Sequence, residues 1–180
     1  MRVIAGTARG VPLHAPRGDA TRPITDRVKE TLFAILGDRV PGARVLDLYA
    51  GTGAIGIEAL SRGAASADFV ERDRHAVTAL RSNLDRTRLS ASASVHATDV
   101  ERFLGSCGKS TWDLATVDPP YETRDIVAPL RTLVPHLAPD AIVVVKHFWR
   151  TEVPVVDRLV AVRQRRFGET MLTFLQLEAP

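Results

Sequence analysis

The chain has 180 residues, of which 45% are hydrophobic, as expected for one globular domain with a sizeable core. Its 24 lysine and arginine residues exceed its 21 acidic residues by three, and its single cysteine, Cys107, excludes an internal disulfide. The five histidines show no metal-ligand spacing, and no apolar run is long enough to span a bilayer. With no signal region at the N-terminus either, we expect a cytoplasmic protein without a metal site.

The N-terminal part of the chain is predicted to form an extension, 1–23, ahead of a core over 24–180 in the same single domain. Two short β-type runs, 2–5 and 11–15, indicate a hairpin in the extension, and a loop rich in proline, glycine and charge follows it. A helix over 24–37 begins the core, because its apolar residues recur at helical spacing and a glycine ends it.

From residue 44 onward, β-type and helix-type runs alternate. The predicted strands are 44–49, 66–71, 92–97, 112–118 and 139–147, and the predicted helices are 53–63, 73–88, 99–106 and 123–137. This alternation is typical of an α/β fold, in which a parallel sheet carries helices on both faces and binds its ligand at the carboxyl ends of the strands. Two more β-type runs, 153–163 and 170–177, predict a closing hairpin.

A glycine-rich turn follows the first strand of the predicted sheet. Gly51, Gly53 and Gly56 match the G-x-G-x-x-G fingerprint, whose glycines make a tight turn and let the backbone approach a ligand closely. The helix that follows supplies free N–H groups. This fingerprint suits a nicotinamide or flavin domain as well as a nucleoside domain.

Acidic residues at the strand ends favour S-adenosylmethionine (SAM) over a dinucleotide. Asp47 lies within the strand before the turn, where it could reach the positively charged amino-acid end of SAM, directly or through water. Glu71 ends the next strand at a spacing that suits ribose hydroxyls, although it could also be a solvated helix cap. Asp99 is a candidate for the adenine amine, or a helix N-cap. The neighbouring Tyr49 and Arg72 complete the candidate cofactor contacts.

The tetrapeptide Asp118-Pro119-Pro120-Tyr121 follows an apolar strand and suits a planar amine. The Asp118 carboxylate can accept one N–H, the carbonyl of Pro119 can accept the other, and Tyr121 can stack on the ring that carries the amine. An amine held in this way directs its lone pair at an electrophile, as methyl transfer to an exocyclic amino group requires. The structural alternative is a strand that ends in a Pro-Pro turn.

Basic residues are concentrated near the two ends of the sequence. Residues 1–30 contain six basic groups against three acidic ones, and residues 158–166 contain four arginines. These segments could form a phosphate-binding surface, or they could simply be solvated.

The whole chain resembles the RsmD family of bacterial 16S rRNA (guanine-N2)-methyltransferases. The matching residues are Arg2–Gly6 with Arg9, Gly10, Leu13 and Pro16, then Arg22–Phe33, Asp47–Gly63, Asp118–Tyr121 and Arg166–Thr170. The resemblance implies a Rossmann-like methyltransferase fold, with a seven-stranded, mostly parallel sheet that ends in an antiparallel hairpin. It implies SAM as cofactor and, as substrate, 16S rRNA in the 30S subunit or its assembly intermediate, with ribosomal proteins as possible partners.

The resemblance also implies RNA contacts. They are Arg9, Arg22, Asp26, Arg27 and Pro120. Alternatively, Arg22, Asp26 and Arg27 cap the first core helix and form an ion pair at its start. The run Lys146-His147-Phe148-Trp149-Arg150 departs from the family, which often carries an acidic residue there. This run is either a local RNA contact with a stacking aromatic or a strand end with an aromatic in the core.

Other functions stay open. A DNA adenine or cytosine amino-methyltransferase could use the same tetrapeptide, although 180 residues leave little room for a domain that reads sequence. Protein glutamine methyltransferases usually begin this motif with Asn. A non-catalytic ribosome-assembly factor would have no reason to keep both Asp118 and the glycine turn, and a dinucleotide oxidoreductase is the least favoured. Nothing in the sequence demands a dimer, so we expect a monomer.

Overall fold

The computed structural model describes residues 1–15, 24–108, 111–119, 126–153 and 156–178. Three of the predicted site residues lie outside these ranges, namely Arg22, Pro120 and Tyr121, as does most of the predicted loop of the extension. Within the described ranges, no helix has both the length and the apolar character needed to cross a membrane.

Five helices and seven strands form the described part of the chain. The helices are α1 (Asp26–Leu36), α2 (Ala54–Ser61), α3 (Arg74–Thr87), α4 (Val100–Ser106) and α5 (Val127–Leu133). The strands are β1 (Arg44–Leu48), β2 (Ser66–Val70), β3 (Ala93–His96), β4 (Trp112–Val117), β5 (Leu137–Phe148), β6 (Leu159–Phe167) and β7 (Thr170–Leu177). Short 3₁₀ turns occur at Gly37–Arg39, Ser90–Ser92 and Val134–His136.

All seven strands form one sheet in the order β3-β2-β1-β4-β5-β7-β6. Strands β1 to β5 pair in parallel, and β7 pairs antiparallel with both β5 and β6. The predicted fold class, an α/β fold of Rossmann type with a C-terminal antiparallel hairpin, is therefore confirmed. Because the five parallel strands run the same way, their last residues meet along one border of the sheet, which we call the carboxyl edge.

Helices cover both faces of the sheet. On the first face, Val45 and Leu114 pack with residues of α1, α2 and α3 in one hydrophobic cluster. On the second face, Leu46 and Ala115 pack with residues of α4 and α5. Successive strand residues point to opposite faces. The same alternation places Asp47, two residues after Val45, on the first face.

The predicted N-terminal hairpin is confirmed over a shorter length than expected. Arg2 and Pro12 form an antiparallel bridge, and backbone hydrogen bonds of 3.0 Å join Val3 to Val11 and Leu13 to Met1. The next two backbone N–H groups, of Ile4 and Ala5, donate to the carboxylate of Glu58, at 2.8 and 3.0 Å. Lys29 approaches the same carboxylate to 3.1 Å, and both charged side chains are fully buried. A buried acid in α2 therefore anchors the first segment of this hairpin just beyond its paired residues.

Two other predicted boundaries are corrected. The helix predicted over 123–137 ends at Leu133, and a 3₁₀ turn that contains a proline leads directly into β5. The first strand of the closing hairpin begins at Leu159, because the preceding residues make a tight turn in which Asp157 has a φ of 49°. This strand then continues to Phe167 through residues that are exposed on both sides, so it lacks the apolar alternation of a half-buried strand.

Candidate functional site

The glycine turn begins where β1 ends. Tyr49 has a φ of 58°, which is rare for a residue with a side chain, and Gly51 and Gly53 have φ values of 54° and 78°. The N–H of Gly53 donates to the carbonyl of Ala50 at 2.8 Å, and Gly53 is the N-cap of α2. Left-handed backbone at three positions within five residues therefore turns the chain sharply from strand to helix.

The three fingerprint glycines have different surroundings. A Cβ at Gly53 would lie 2.2 Å from a methyl carbon of Leu80, and one at Gly56 would lie 2.3 Å from the ring of Phe69. A Cβ at Gly51 would meet nothing within 4 Å. Gly53 and Gly56 are thus required by the packing of α2 on the protein itself, whereas Gly51 borders open space in which a ligand can approach.

Asp47 is buried beneath this turn. One of its oxygens accepts the N–H of Gly56 at 3.0 Å and the other accepts the hydroxyl of Thr116 at 2.6 Å. Burial raises the pKa of Asp47 to about 7, although these two hydrogen bonds act in the opposite direction. Asp47 therefore ties β1 to β4 and α2, and its contact with the amino-acid end of SAM stays a prediction.

Glu71 joins the end of β2 to the glycine turn. Its carboxylate accepts the N–H of Gly51 at 2.9 Å and the N–H of Asp73 at 2.8 Å. The N-cap of α3 is Asp73, whose side chain accepts the N–H of Ala76, so Glu71 is not the helix cap. The structure thus brings Glu71 and Gly51 together at the carboxyl edge, as expected for residues that share a ligand.

Asp99 follows β3 and is the N-cap of α4, where its side chain accepts the N–H of Glu101 at 2.9 Å. Its other oxygen lies 3.9 Å from a guanidinium nitrogen of Arg72. Both side chains are exposed. The capping alternative is therefore confirmed, while the contacts of Asp99 and Arg72 with SAM stay predictions.

Asp118 lies at the carboxyl edge, one residue after the end of β4. Its N–H is 3.4 Å from the carbonyl of Leu48, the last residue of β1, so the tetrapeptide begins beside the glycine turn. Both of its carboxylate oxygens accept hydrogen bonds from the ammonium group of Lys146 in β5, at 2.7 and 2.8 Å. Pro119 is buried, and the last two residues of the tetrapeptide lie outside the described residues. The sequence analysis missed the partnership of Lys146 with Asp118, because only the register of β4 and β5 brings the two together.

Arg9 lies away from this site. It is exposed in a turn that packs on the last residue of α2, where the N–H of Ala8 donates to the hydroxyl of Ser61 at 3.0 Å. Since α2 has eight residues, this turn is separated from the glycine turn by about 12 Å of helix. The structure does not bring Arg9 together with Asp118.

Asp26 and Arg27 form the first turn of α1. Asp26 pairs with Arg2 at 3.3 Å, and Thr25 caps the helix by accepting the N–H of Val28. Arg27 is exposed. The alternative of an ion pair at the helix start is confirmed for Asp26, and RNA contacts of both residues stay predictions.

A cationic and aromatic group follows β5 at the carboxyl edge. We call Trp149, Arg150 and Arg166 the Trp149 cluster. The guanidinium carbon of Arg166 lies 3.8 Å from the centre of the Trp149 ring, and that of Arg150 lies 4.8 Å from it. Trp149 is half-buried, whereas Arg150 and Arg166 are exposed. The indole is therefore not a core residue, and its ring is already in contact with two guanidinium groups. It supports two guanidinium groups that face solvent.

The chain matches one family model and several curated relatives. The model described as "Conserved hypothetical protein 95" matches residues 1–176. The Bacillus subtilis protein YlbH is 40% identical over 176 residues, which cover 94% of this chain and 95% of that protein. Ribosomal RNA small subunit methyltransferase D of Escherichia coli is 34% identical over 182 residues, covering 99% of this chain and 91% of that protein.

Solved structures agree with the observed topology. The structure of yhhF from Escherichia coli has a TM-score of 0.88 and 35% identity, and the match covers 100% of this chain and 99% of that one. SMU.776, solved in complex with SAH, has a TM-score of 0.70 at 14% identity over 86% of this chain and 50% of that one, which shows a shared fold alone. The chain belongs to the family described as "Conserved hypothetical protein 95", which is the RsmD family of rRNA methyltransferases that its motifs resemble.

Proposed function

We propose that this protein transfers a methyl group from SAM to the exocyclic N2 amine of a guanine in 16S rRNA of the small ribosomal subunit. The observation that carries the proposal is the meeting of three features at one edge of the sheet. Asp118 lies beside the end of β1, the glycine turn begins there, and Glu71 bonds to the N–H of Gly51. The relative named ribosomal RNA small subunit methyltransferase D supports the class of substrate.

The residues around the glycine turn fit SAM. Gly51 leaves open space against its backbone, and the half-buried carboxylate of Glu71 keeps lone pairs for ribose hydroxyls beyond its two backbone hydrogen bonds. Asp99, one strand further along the edge, can accept an adenine amine with an exposed oxygen. SAM supplies an electrophilic methyl group on a positively charged sulfur.

Asp118 and Pro119 hold the amine of the guanine. The carboxylate accepts one N–H and the carbonyl of Pro119 accepts the other, so that the nitrogen lone pair is aimed at the methyl carbon. The nitrogen then forms its bond to carbon as the carbon–sulfur bond breaks, and the electron pair of that bond goes to sulfur. The nitrogen becomes positively charged at this moment, and the negative charge of Asp118 stabilises it until a proton leaves.

The RNA backbone approaches along the carboxyl edge at the β6–β7 side. There β6 is an edge strand whose residues Arg163, Arg165 and Arg166 are exposed, and the Trp149 cluster adds Arg150. Guanidinium groups suit phosphate oxygens, and stacking on an indole limits the conformational freedom that they lose on binding. Because Trp149 follows β5 by one residue, this surface lies at the same edge as Asp118.

The experiment that tests this function compares three substrates with labelled SAM. They are 30S subunits from a strain that lacks this gene, naked 16S rRNA and duplex DNA, and mass spectrometry identifies the modified nucleoside. We expect N2-methylguanosine in the 30S sample, and the naked rRNA shows whether ribosomal proteins are needed. A methylated adenine or cytosine in the DNA sample, with no label in rRNA, would overturn the proposal in favour of a DNA amino-methyltransferase.

A further inference from the structure

Lys146 and Asp118 are neighbours across two parallel strands. Thr116 pairs with Val144 and Val117 pairs with Val145, so the same register places Asp118 beside Lys146. Both side chains project from the first face of the sheet, because Val144 belongs to the hydrophobic cluster of that face. The chain therefore places a cation next to the acid of its amine-binding tetrapeptide.

The contact leaves one side of the carboxylate open. The ammonium group of Lys146 lies 2.7 and 2.8 Å from the two oxygens of Asp118. The side chain of Lys146 is 10% exposed, whereas that of Asp118 is 28% exposed. Lys146 thus approaches from the protein side. A carboxylate has about four lone-pair sites, so the exposed ones stay available to an amine.

The charges around Asp118 come from several elements. Burial raises the pKa of the Asp118 carboxyl, and the Lys146 ammonium acts in the opposite direction. Asp47 of β1 interacts unfavourably with Asp118, and Glu71 at the end of β2 does the same with Asp47. His147 points to the second face, where its ring bonds to the Thr173 hydroxyl at 2.8 Å. Among the described residues, Lys146 is therefore the cation that contacts Asp118, and it opposes the effect of burial on the pKa of this carboxyl without reversing it.

We propose that Lys146 is a positioning residue for methyl transfer, which keeps Asp118 as an ionised carboxylate with its exposed oxygen edge turned toward the substrate amine. This inference rests on the proposed function, and it assigns to Asp118 the role of orienting the amine. A carboxylate paired with an ammonium group is a good hydrogen-bond acceptor, and it is a weaker base than the same buried carboxylate without that cation. Asp118 therefore orients the amine, and the proton that the methylated nitrogen loses goes to water.

The test uses Lys146→Met and Lys146→Arg in the full chain, with Arg86→Met at the far end of α3 as a control for loss of a surface cation. The turnover rate is measured against pH with 30S subunits. In Lys146→Met we expect the acid limb of the pH–rate profile to move to higher pH. Below that limb, the turnover rate falls about tenfold for each pH unit. Lys146→Arg restores the wild-type limb, and Arg86→Met leaves it unchanged.

A second measurement needs no substrate. Carboxyl carbon NMR of aspartate-labelled protein, with Asp118→Asn to assign the signal, follows the ionisation of Asp118 directly. We expect an ionised Asp118 at neutral pH in the wild type, and titration at higher pH in Lys146→Met. A protonated Asp118 in the neutral wild-type protein overturns the inference even if the variants do not fold. So does a loss of turnover in Lys146→Met that is equal at every pH. Absence of rRNA methylation by the wild type, with an ionised Asp118, would instead count against the proposed function.

Discussion

Asp47 and Thr116 are joined across β1 and β4 by a hydrogen bond of 2.6 Å, and the acid in this pair is 2% exposed. Burial raises the pKa of Asp47 to about 7, so the folded state holds a proton that the unfolded state releases at about pH 4. The stability that this proton contributes is therefore fully present below about pH 4, and it is lost as the pH rises through about 7.

Asp47→Asn should therefore weaken this pH dependence. The amide can accept the N–H of Gly56 and donate to the Thr116 hydroxyl, so it replaces the protonated acid without a charge. Urea unfolding at several pH values between 5 and 8 measures the effect, with the exposed Asp38→Asn as control. We expect the variant to gain stability relative to the wild type as the pH rises. Parallel curves for the two proteins would show that Asp47 is already ionised in the fold.

Substitutions at the three fingerprint glycines should separate packing from ligand binding. Gly53→Ala and Gly56→Ala place a methyl group within 2.3 Å of Leu80 and Phe69, respectively, and this overpacking should cost each about 1–3 kcal/mol in the free energy of unfolding. Gly53→Ala also carries the strain of its left-handed backbone, with a φ of 78°. The Cβ added by Gly51→Ala would meet no protein atom within 4 Å. This variant should lose only about 1–2 kcal/mol in the free energy of unfolding, because alanine is strained in a left-handed backbone.

Gly51→Ala should nevertheless weaken SAM binding in calorimetry, because its methyl group enters the open space beside the turn. The matched comparison is the SAM affinity of Gly53→Ala, measured at a low temperature at which this variant is folded. Undiminished SAM affinity in Gly51→Ala would place the cofactor elsewhere.

The buried pair of Lys29 and Glu58 should dominate the stability of the N-terminal extension. Glu58→Leu leaves Lys29 and the N–H groups of Ile4 and Ala5 without this acceptor, so we expect a loss of about 3–5 kcal/mol. Lys29→Met should cost less, because Glu58 keeps those two N–H groups and Arg62 as donors.

Urea unfolding of the two single variants and the double variant measures this coupling. The exposed Arg39→Met, which removes a pair with Asp140, should change stability by no more than about 1 kcal/mol. Equal effects of Arg39→Met and Glu58→Leu would contradict the assignment of the buried acid as the anchor of the extension.

The Trp149 cluster should contribute phosphate contacts to RNA binding. Arg166→Ala is expected to weaken binding to rRNA and to reduce the slope of log affinity against log salt by roughly 0.7–0.9, because one phosphate is no longer neutralised by the protein. Trp149→Ala should act in the same direction, because Arg150 and Arg166 lose their support.

Arg86→Ala removes an equal charge from the last turn of α3 and is the matched control. Filter binding over a series of salt concentrations gives both slopes. The same change of slope in Arg86→Ala and Arg166→Ala would mean that net charge, rather than this surface, governs binding.

Much of this site follows from local sequence pattern. The glycine turn and the acids at the strand ends were predictable, because alternating strands and helices fix which residues reach the carboxyl edge. The contact between Glu71 and Gly51 is an example, since both belong to strand ends that are adjacent in the sheet.

Contacts that depend on tertiary packing were not predictable in the same way. Lys146 is 28 residues from Asp118, and only the pairing register of β4 and β5 makes them partners. Glu58 has the sequence appearance of a surface residue in a helix, yet it is fully buried, with Ile4 and Ala5 of the extension and Lys29 as its hydrogen-bond donors. The start of β6 was misplaced because the residues ahead of Leu159 form a tight turn at Asp157. Its end was misplaced because the last, arginine-rich part of this exposed edge strand carries no apolar pattern.

The most direct test of the central claim is Asp118→Ala, assayed for N2-methylguanosine in 30S subunits and, separately, for SAM binding by calorimetry. Asp38→Ala, an exposed acid in a 3₁₀ turn, is the control. We predict that Asp118→Ala loses methyl transfer while its affinity for SAM stays close to that of the wild type, because Asp118 holds the amine and the glycine turn holds the cofactor. Turnover close to the wild-type rate in Asp118→Ala would contradict this account.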